Sequence, residues 1–395
     1  MEIEEAKKFG IEAKVTHVDF KALMERMKKS VTFGRNWLRK EIKGSKNLDF
    51  YNEAAHFSAD HTLELESGKI AGRKIFIASG SRPSVPPIRG LDAASYLTNE
   101  SVLDLKARPK SIIIIGGGYI GVEYAHFFAA MGTRVTIVQR GAALVPKEEP
   151  EISAYLEREL KKRMEVHTGL LTTGIKKNKR NTAVFVRDKK SGRTKKISAE
   201  HILLATGRVS NADQLQTENT GVQLDERGYI KTDDYLLTTR KNIWAMGDAI
   251  GRQMFTHAGD KEAEIAWHNA THRTKSKMDF DAVPHVVFSR PQIASVGLTE
   301  KQARKAYDVV IGRAKYSDIV AGDTMGEKDG FAKAVVEKNT GRLLGFHIAG
   351  PYAAHILQEA VNVMADNGGV KSILEKMHAF PTLAELVPEA LGNLE

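Results

Sequence analysis

The apolar segment Ser111–Ile115 runs straight into a G-x-G-x-x-G turn formed by Gly116, Gly118 and Gly121, and no other stretch constrains the fold as strongly. Ile120, Tyr124, Phe127, Phe128 and Met131 follow at helical spacing, and Gly132 is placed to stop the helix. A second strand, Thr133–Val138, completes a β-α-β pattern. Each glycine has a mechanical role. Gly116 makes the tight turn, Gly118 lets backbone approach a pyrophosphate, and Gly121 lets helix and strand pack closely. The helix N-terminus then offers unpaired N–H groups to the phosphates. A lone glycine motif can be a structural loop, but the flanking strand, helix and strand point to dinucleotide binding.

At 395 residues the chain is long enough for two or three domains with cores of their own. A hydrophobic content of 42% and a charged content of 27% are those of an ordinary globular protein. There is no run of about 18 apolar residues to span a membrane, and the first residues lack the apolar segment of a secretory signal. The expectation is a cytoplasmic protein without a membrane partner. Cysteine is absent, which excludes disulfides, thiolate metal sites, cysteine nucleophiles and dithiol redox chemistry in this chain. No metal site is expected. The net charge of +10 gathers at Lys176, Lys177, Lys179 and Arg180, and at Lys189, Lys190, Arg193, Lys195 and Lys196. These clusters flank the strand-like Thr182–Arg187 and read as solvated hairpin ends. A nucleic-acid partner would call for a basic groove with interleaved aromatics, and none is visible.

Along the chain, Asp19 is a candidate N-cap for a helix carrying Phe20, Leu23, Met24 and Met27 and running toward Trp37. Strand-like segments follow around Phe50, at Ala54–Phe57 and at Thr62–Leu65. A strand from Lys74 ends in a glycine turn at Gly80. The Rossmann-like unit occupies roughly 93–210, with a helix from Pro150 and a closing strand from His201 into Gly207 and Arg208. Another strand, from Asn242, meets Gly247 and Asp248, and a helix-like stretch spans His257–Asn269. From Val283 onward, strands at Val286–Phe288, Ala332–Glu337 and Leu343–Ala349 alternate with helices at Tyr352–Asp366 and Val370–Met377, an α+β pattern.

With these glycine-bearing segments in this order, the chain resembles the flavin-dependent pyridine nucleotide–disulfide oxidoreductases, in particular the dihydrolipoamide dehydrogenases and mercuric reductases. The resemblance covers nearly the whole chain. Ile77–Pro83, with Gly80, is similar to the turn that ends the family's first flavin-domain segment, and Gly116–Gly121 to its nicotinamide-cofactor turn. Ala205–Arg208 matches the return crossing. Gly247 and Asp248 resemble the second flavin motif, in which the Asp accepts hydrogen bonds from the ribityl chain. Val283–Glu300 resembles the opening of the interface domain.

The implied fold is α/β, with Rossmann-like FAD- and NAD(P)-binding domains and a C-terminal α+β dimerisation domain. The implied division is a partial, N-terminally truncated flavin-binding segment (1–92), an NAD(P)-binding domain (93–210), a second flavin-binding segment (211–278) and a dimerisation domain (279–395). By the same resemblance His257 and Ala258 lie where a helix end packs near the flavin ring. Glu123 lies near the nicotinamide, with a solvated helix glutamate as the alternative. Two departures stand out. The family's flavin-pyrophosphate glycine motif and redox cysteine pair have no counterpart here. Its acid/base His, oriented by a Glu five residues on, is replaced by Phe380, although Glu385 is retained. His378 is two residues too early to substitute. Phe cannot exchange a proton.

Position 139, at the end of the second strand and ~20 residues past the first glycine, is where an NAD-selective site places an acid for the ribose 2′-OH. Here it is Gln139, followed by Arg140, which slightly favours NADPH over NADH. The expected protein is a homodimeric FAD- and NAD(P)H-dependent oxidoreductase, passing hydride from NAD(P)H to flavin and on to a small non-disulfide acceptor such as a quinone, dye or oxygen. The alternative is a truncated or non-catalytic nucleotide-binding dimer that needs a missing N-terminal segment or a partner for flavin chemistry.

Overall fold

The computed structural model describes residues 2–178 and 181–395, so Lys179 and Arg180 of the first basic cluster lie outside the described residues. Two compact units emerge. The first joins the N-terminal residues through Glu25 with Val85–Thr206 and Asp281–Glu395; the second joins Arg26–Ser84 with Gly207–Phe280.

In the first unit, the isoleucine run becomes the strand Ser111–Ile115, buried at all five positions. It lies inside a four-stranded parallel sheet, between His201–Leu204 and Arg134–Val138, with Glu165–His167 beyond. Such a strand is covered on both faces, which is why its pattern is continuous rather than alternating. The crossover helix Tyr119–Ala130 buries Gly121, Val122, Ala125 and Phe128. That stripe is shifted from the Ile120, Tyr124, Phe127 and Met131 series, whose members are only half-buried. The shift follows from Gly121, which must face the sheet for the glycine turn to close. Gly132, at φ +80°, ends the helix as its position suggested.

An antiparallel layer of Leu170–Lys177, Thr182–Asp188 and Thr194–Ala199 packs Val184, Val186 and Ile197 onto Ile113, Ile115 and Ile202. Lys195 and Lys196 lie within the last of these strands rather than in its turn, and both are exposed. The C-terminal part of the unit is a five-stranded antiparallel sheet. Its order is His285–Val287, Gln292–Gly297, Leu343–Gly350, Phe331–Glu337 and Val309–Lys315. The sequence pattern does not single out Gln292–Gly297 or Val309–Lys315. The helix expected over Tyr352–Asp366 is divided into Ala353–Ile356 and Gln358–Ala365.

In the second unit, the strand Ile75–Ile77 pairs in parallel with Ile243–Ala245. Ser81–Pro83 pairs antiparallel with Arg208–Ser210, and His56–Ala59, Thr62–Leu65 and Gly68–Ala71 form a meander. The residues around Phe50 form no strand and are exposed, because nothing pairs with them among the described residues. Phe76 stacks on Trp244 with ring centres 5.4 Å apart and touches Trp267, which is 62% exposed on the helix Thr256–Thr271. Back in the first unit, the carboxylate of Asp19 accepts the N–H of Ala22 at 2.9 Å, capping the helix that begins at Phe20 as expected. Among the described residues no helix is long and apolar enough to cross a membrane.

Candidate functional site

The glycine turn is built by close approach of backbone to backbone. A Cβ on Gly116 would lie 2.1 Å from the carbonyl oxygen of Ala205, and one on Gly121 would lie 2.1 Å from that of Gly116. Neither position accepts a side chain without displacing the main chain. Gly118 is different: a Cβ there would meet nothing within 4 Å, so its surroundings are open. It is the N-cap of Tyr119–Ala130 and supplies no side-chain cap, which leaves the first amides of the helix facing that space. The geometry fits a pyrophosphate.

Gln139 and Arg140 stand next to this turn. The Gly117 N–H donates to Gln139 Oε1 at 3.1 Å, and Gln139 Nε2 donates to the Ala143 carbonyl at 3.3 Å. The amide therefore braces the turn, and Arg140 beside it is exposed. Val145 donates its N–H to the Gly117 carbonyl at 2.8 Å while held at φ +36°, a left-handed conformation that a β-branched residue rarely adopts.

Two contacts tie the first turn of the helix to the strand His285–Val287 and the residue after it. The Tyr119 hydroxyl donates to buried Glu148, whose carboxylate lies 3.5 Å from His285 Nδ1. Burial alone would raise the Glu148 carboxyl, but bonds from His285 and Tyr119 hold it below the usual range. The Tyr119 hydroxyl itself is pushed far up by burial and by Glu148. One turn on, Glu123 accepts the backbone N–H of Phe288 at 2.9 Å, and burial raises its carboxyl despite that bond. Glu123 is thus half-buried and engaged, not a freely solvated helix residue.

A separate cluster forms within the second unit. Asp248 Oδ2 accepts the Ser81 hydroxyl at 2.5 Å and lies 3.3 Å from Arg208 Nε. Arg208 Nε also donates to Ser81 Oγ, at 2.5 Å. Gly80, Gly207 and Gly247 sit at φ +68°, +111° and +66°, and a Cβ on any of them would meet nothing within 4 Å. An acidic acceptor beside open, side-chain-free backbone fits the hydroxyl-bearing ribityl part of a flavin. Among the described residues, this unit has no second glycine turn at a helix N-terminus for the flavin's pyrophosphate. Ala258 is buried in the first turn of Thr256–Thr271, and the exposed His257 ring stacks on Phe255.

Near the C-terminus, Phe380 is 71% exposed, and Glu385 accepts the Thr382 N–H at 3.0 Å, capping its own turn. His378 Nε2 lies 2.8 Å from Glu359. The structure therefore groups Gly116, Gly118, Gly121, Gln139 and Arg140 around one turn, with Glu123 a helical turn away. It groups Gly80, Gly207, Arg208, Gly247 and Asp248 around another. Sequence reasoning missed Ser81, although it directly follows Gly80; it missed Glu148 and His285, which meet across 137 positions of sequence, and Glu262, which only packing turns toward Gly247.

Comparisons with known proteins bear on the family of the chain as a whole. The family model described as pyridine nucleotide-disulphide oxidoreductase matches residues 6–270, and that family's dimerisation domain matches residues 283–391. A dihydrolipoyl dehydrogenase of Synechocystis sp. is 34% identical over 337 residues, covering 82% of this chain and 71% of the relative. A mercuric reductase of Staphylococcus aureus is 32% identical over 340 residues, 86% of this chain and 62% of the relative. The solved structure of the HOCl-induced flavoprotein disulfide reductase RclA from Escherichia coli matches with a TM-score of 0.86 at 27% identity, covering 99% of this chain and 88% of that one. The chain belongs to the pyridine nucleotide–disulfide oxidoreductase family, whose members use FAD and NAD(P)H.

Proposed function

We propose that this protein is an NAD(P)H-dependent flavoprotein oxidoreductase that delivers electrons to a small acceptor other than a disulfide: a quinone, a dye or oxygen. The observation that carries the reading is the pairing of an intact dinucleotide turn with the complete absence of cysteine. FAD, when bound, supplies the two-electron acceptor for hydride. The protein's part is binding and orientation. The open backbone at Gly118 and the adjacent helix amides hold the NAD(P)H pyrophosphate. Arg140 attracts a ribose 2′-phosphate, with Gln139 holding the turn beside it. Asp248, fixed by Ser81 and Arg208, accepts hydrogen bonds from the ribityl hydroxyls. Glu123 lies near the nicotinamide end, and its half-buried position favours the neutral carboxyl more than a surface site would. Phe380 places an apolar side chain where the family has its proton donor, and Glu385 remains as a turn cap. The division into flavin-binding segments 1–92 and 211–278, an NAD(P)-binding domain and a dimerisation domain belongs to the same reading, as does a cytoplasmic location.

The test is oxidation of NADPH and NADH by the FAD-supplemented protein, with menadione, ferricyanide, oxygen and lipoamide offered separately. Turnover with the first three and none with lipoamide supports the reading. Turnover with lipoamide alone overturns it. The assembly is a homodimer formed by residues after about 280, burying more than roughly 2,000 Å² in total. A monomer by light scattering at micromolar concentration would contradict that.

A second reading, a nucleotide-binding dimer whose flavin half is completed by another segment or a partner, draws on one observation. Ile75–Ile77 is paired along one edge only among the described residues, beside exposed Trp267. An open edge of this kind invites a further strand. This reading expects weak or substoichiometric flavin, whereas one tightly held FAD per chain would exclude it.

A further inference from the structure

The helix Thr256–Thr271 turns one acidic side chain fully inward: Glu262 has no solvent exposure. Its Oε2 accepts the backbone N–H of Gly247 at 2.5 Å, and its Oε1 is buried without a hydrogen-bond partner in the structure. A buried carboxyl with an empty oxygen costs free energy that an apolar side chain of similar size would not. Packing alone therefore does not account for a glutamate here, and the contact it makes has a consequence. Gly247 is held at φ +66°, in the left-handed region, at the start of the turn that presents Asp248. The same helix packs on that turn through Gly259, where a Cβ would stand 3.5 Å from the Gly247 Cα. One residue on, Asp248 collects Ser81 and Arg208. All of these residues lie within the second unit.

We propose that Glu262 is the positioning residue of this turn: by holding the Gly247 amide it fixes the aim of Asp248 toward a ribityl chain. The proposal rests on the reading that flavin is bound through Asp248. Glu262 itself touches no cofactor and acts through the main chain. Burial pushes its carboxyl up to about 7, against the pull of the Gly247 N–H and Arg252, with Asp248 adding to the rise. A neutral amide of the same shape therefore suits the position, and Gln is the conservative replacement.

The 395-residue chain is prepared as Glu262→Gln and Glu262→Leu. FAD affinity is measured by flavin fluorescence quenching, NAD(P)H affinity by cofactor fluorescence, and amide hydrogen exchange is followed in the peptide containing Gly247–Ala249 without added FAD. The Gln variant is expected to match the wild type in all three. The Leu variant is expected to bind FAD about tenfold more weakly and to exchange the Gly247–Ala249 amides about tenfold faster, with NAD(P)H binding unchanged, as loss of one well-placed acceptor implies. Wild-type exchange in the Leu variant overturns the proposal, whether or not flavin binds. Absence of FAD binding by the wild type sinks the flavin reading instead, and the exchange comparison still decides the positioning role. If the Leu variant does not fold, Glu262→Ala carries the same comparison, and wild-type exchange there is equally fatal.

Discussion

The ammonium of Lys333 lies 2.7 Å from Glu149 Oε1, and both side chains are almost completely buried. Glu151 at 2.6 Å and Glu300 at 2.7 Å complete a cage of three carboxylates around the one lysine, and Arg313 stands 2.9 Å from Glu151. Glu149 and Glu151 flank Pro150 at the start of Pro150–Lys161, whereas Lys333 belongs to Phe331–Glu337. The cage thus fastens the part of the first unit that carries the Gly116–Gly121 turn to its C-terminal sheet. The three carboxylates are close enough together to suggest a metal site, but the ammonium already fills their centre.

Replacing Lys333 with Met should destabilise the protein by about 3–5 kcal/mol, because it leaves the buried carboxylate of Glu149 without its counter-charge. The pH response is a sharper check. In the wild type Arg313 and Lys333 hold Glu151 at about 2, below its ordinary 4.5, and Lys333 likewise lowers Glu300. Depressed carboxyls contribute stability that is present above the ordinary value and is lost as pH falls from about 4.5 toward 2. In Lys333→Met, Arg313 still pairs with Glu151 and Arg304 with Glu300, so the loss of stability over the same range should be smaller than in the wild type. Urea melts at several pH values decide this, and parallel profiles for the two proteins would refute it.

Gly121→Ala and Gly118→Ala should behave differently. The first places a methyl 2.1 Å from the Gly116 carbonyl and should cost about 1–3 kcal/mol of stability or more. The second meets no atom, so its melting curve should stay within about 0.5 kcal/mol of the wild type. Its effect should fall on NAD(P)H affinity, weakened about tenfold or about 1.4 kcal/mol, because the methyl occupies the phosphate's approach. Denaturation and cofactor titration of both variants separate the two roles.

NADPH should bind at least as well as NADH. A surface-like Arg140–phosphate pair is worth roughly 1–4 kcal/mol, and Arg140→Glu should reverse the preference. Fluorescence titration with each nucleotide tests it. A tenfold or greater wild-type preference for NADH would show that Arg140 does not reach the 2′ position.

Neither the wild type nor Phe380→His should reduce lipoamide or glutathione disulfide through the family's thiol mechanism. That mechanism needs an attacking thiolate and a resolving thiol, and the chain has no cysteine. A histidine at 380 would have nothing to serve. Lipoamide-dependent NADH oxidation well above the buffer rate in either protein would contradict this.

Local sequence alone determined the β-α-β unit, because its signals are short-range: an isoleucine run, three glycines whose spacing only a tight turn satisfies, and Gly132 as a stop. The glycine-bearing turns at Gly80, Gly207 and Gly247 were legible for the same reason. Their assembly was not. Ser81 meets Asp248 across 167 positions of sequence, and Lys333 meets Glu149 across 184, so no periodicity can announce either pair. Glu262 reads as one more charge on an amphipathic helix until packing turns it toward Gly247. Gln139 occupies the expected ribose position, yet the fold engages its amide in bracing the glycine turn. The lack of cysteine in this chain is equally plain in the sequence, since an absent residue type needs no tertiary structure to be seen. Where the remaining carboxylates sit, and which amide or ammonium each one holds, was decided by burial: a charge withdrawn from water must find its partner in space, wherever in the chain that partner lies.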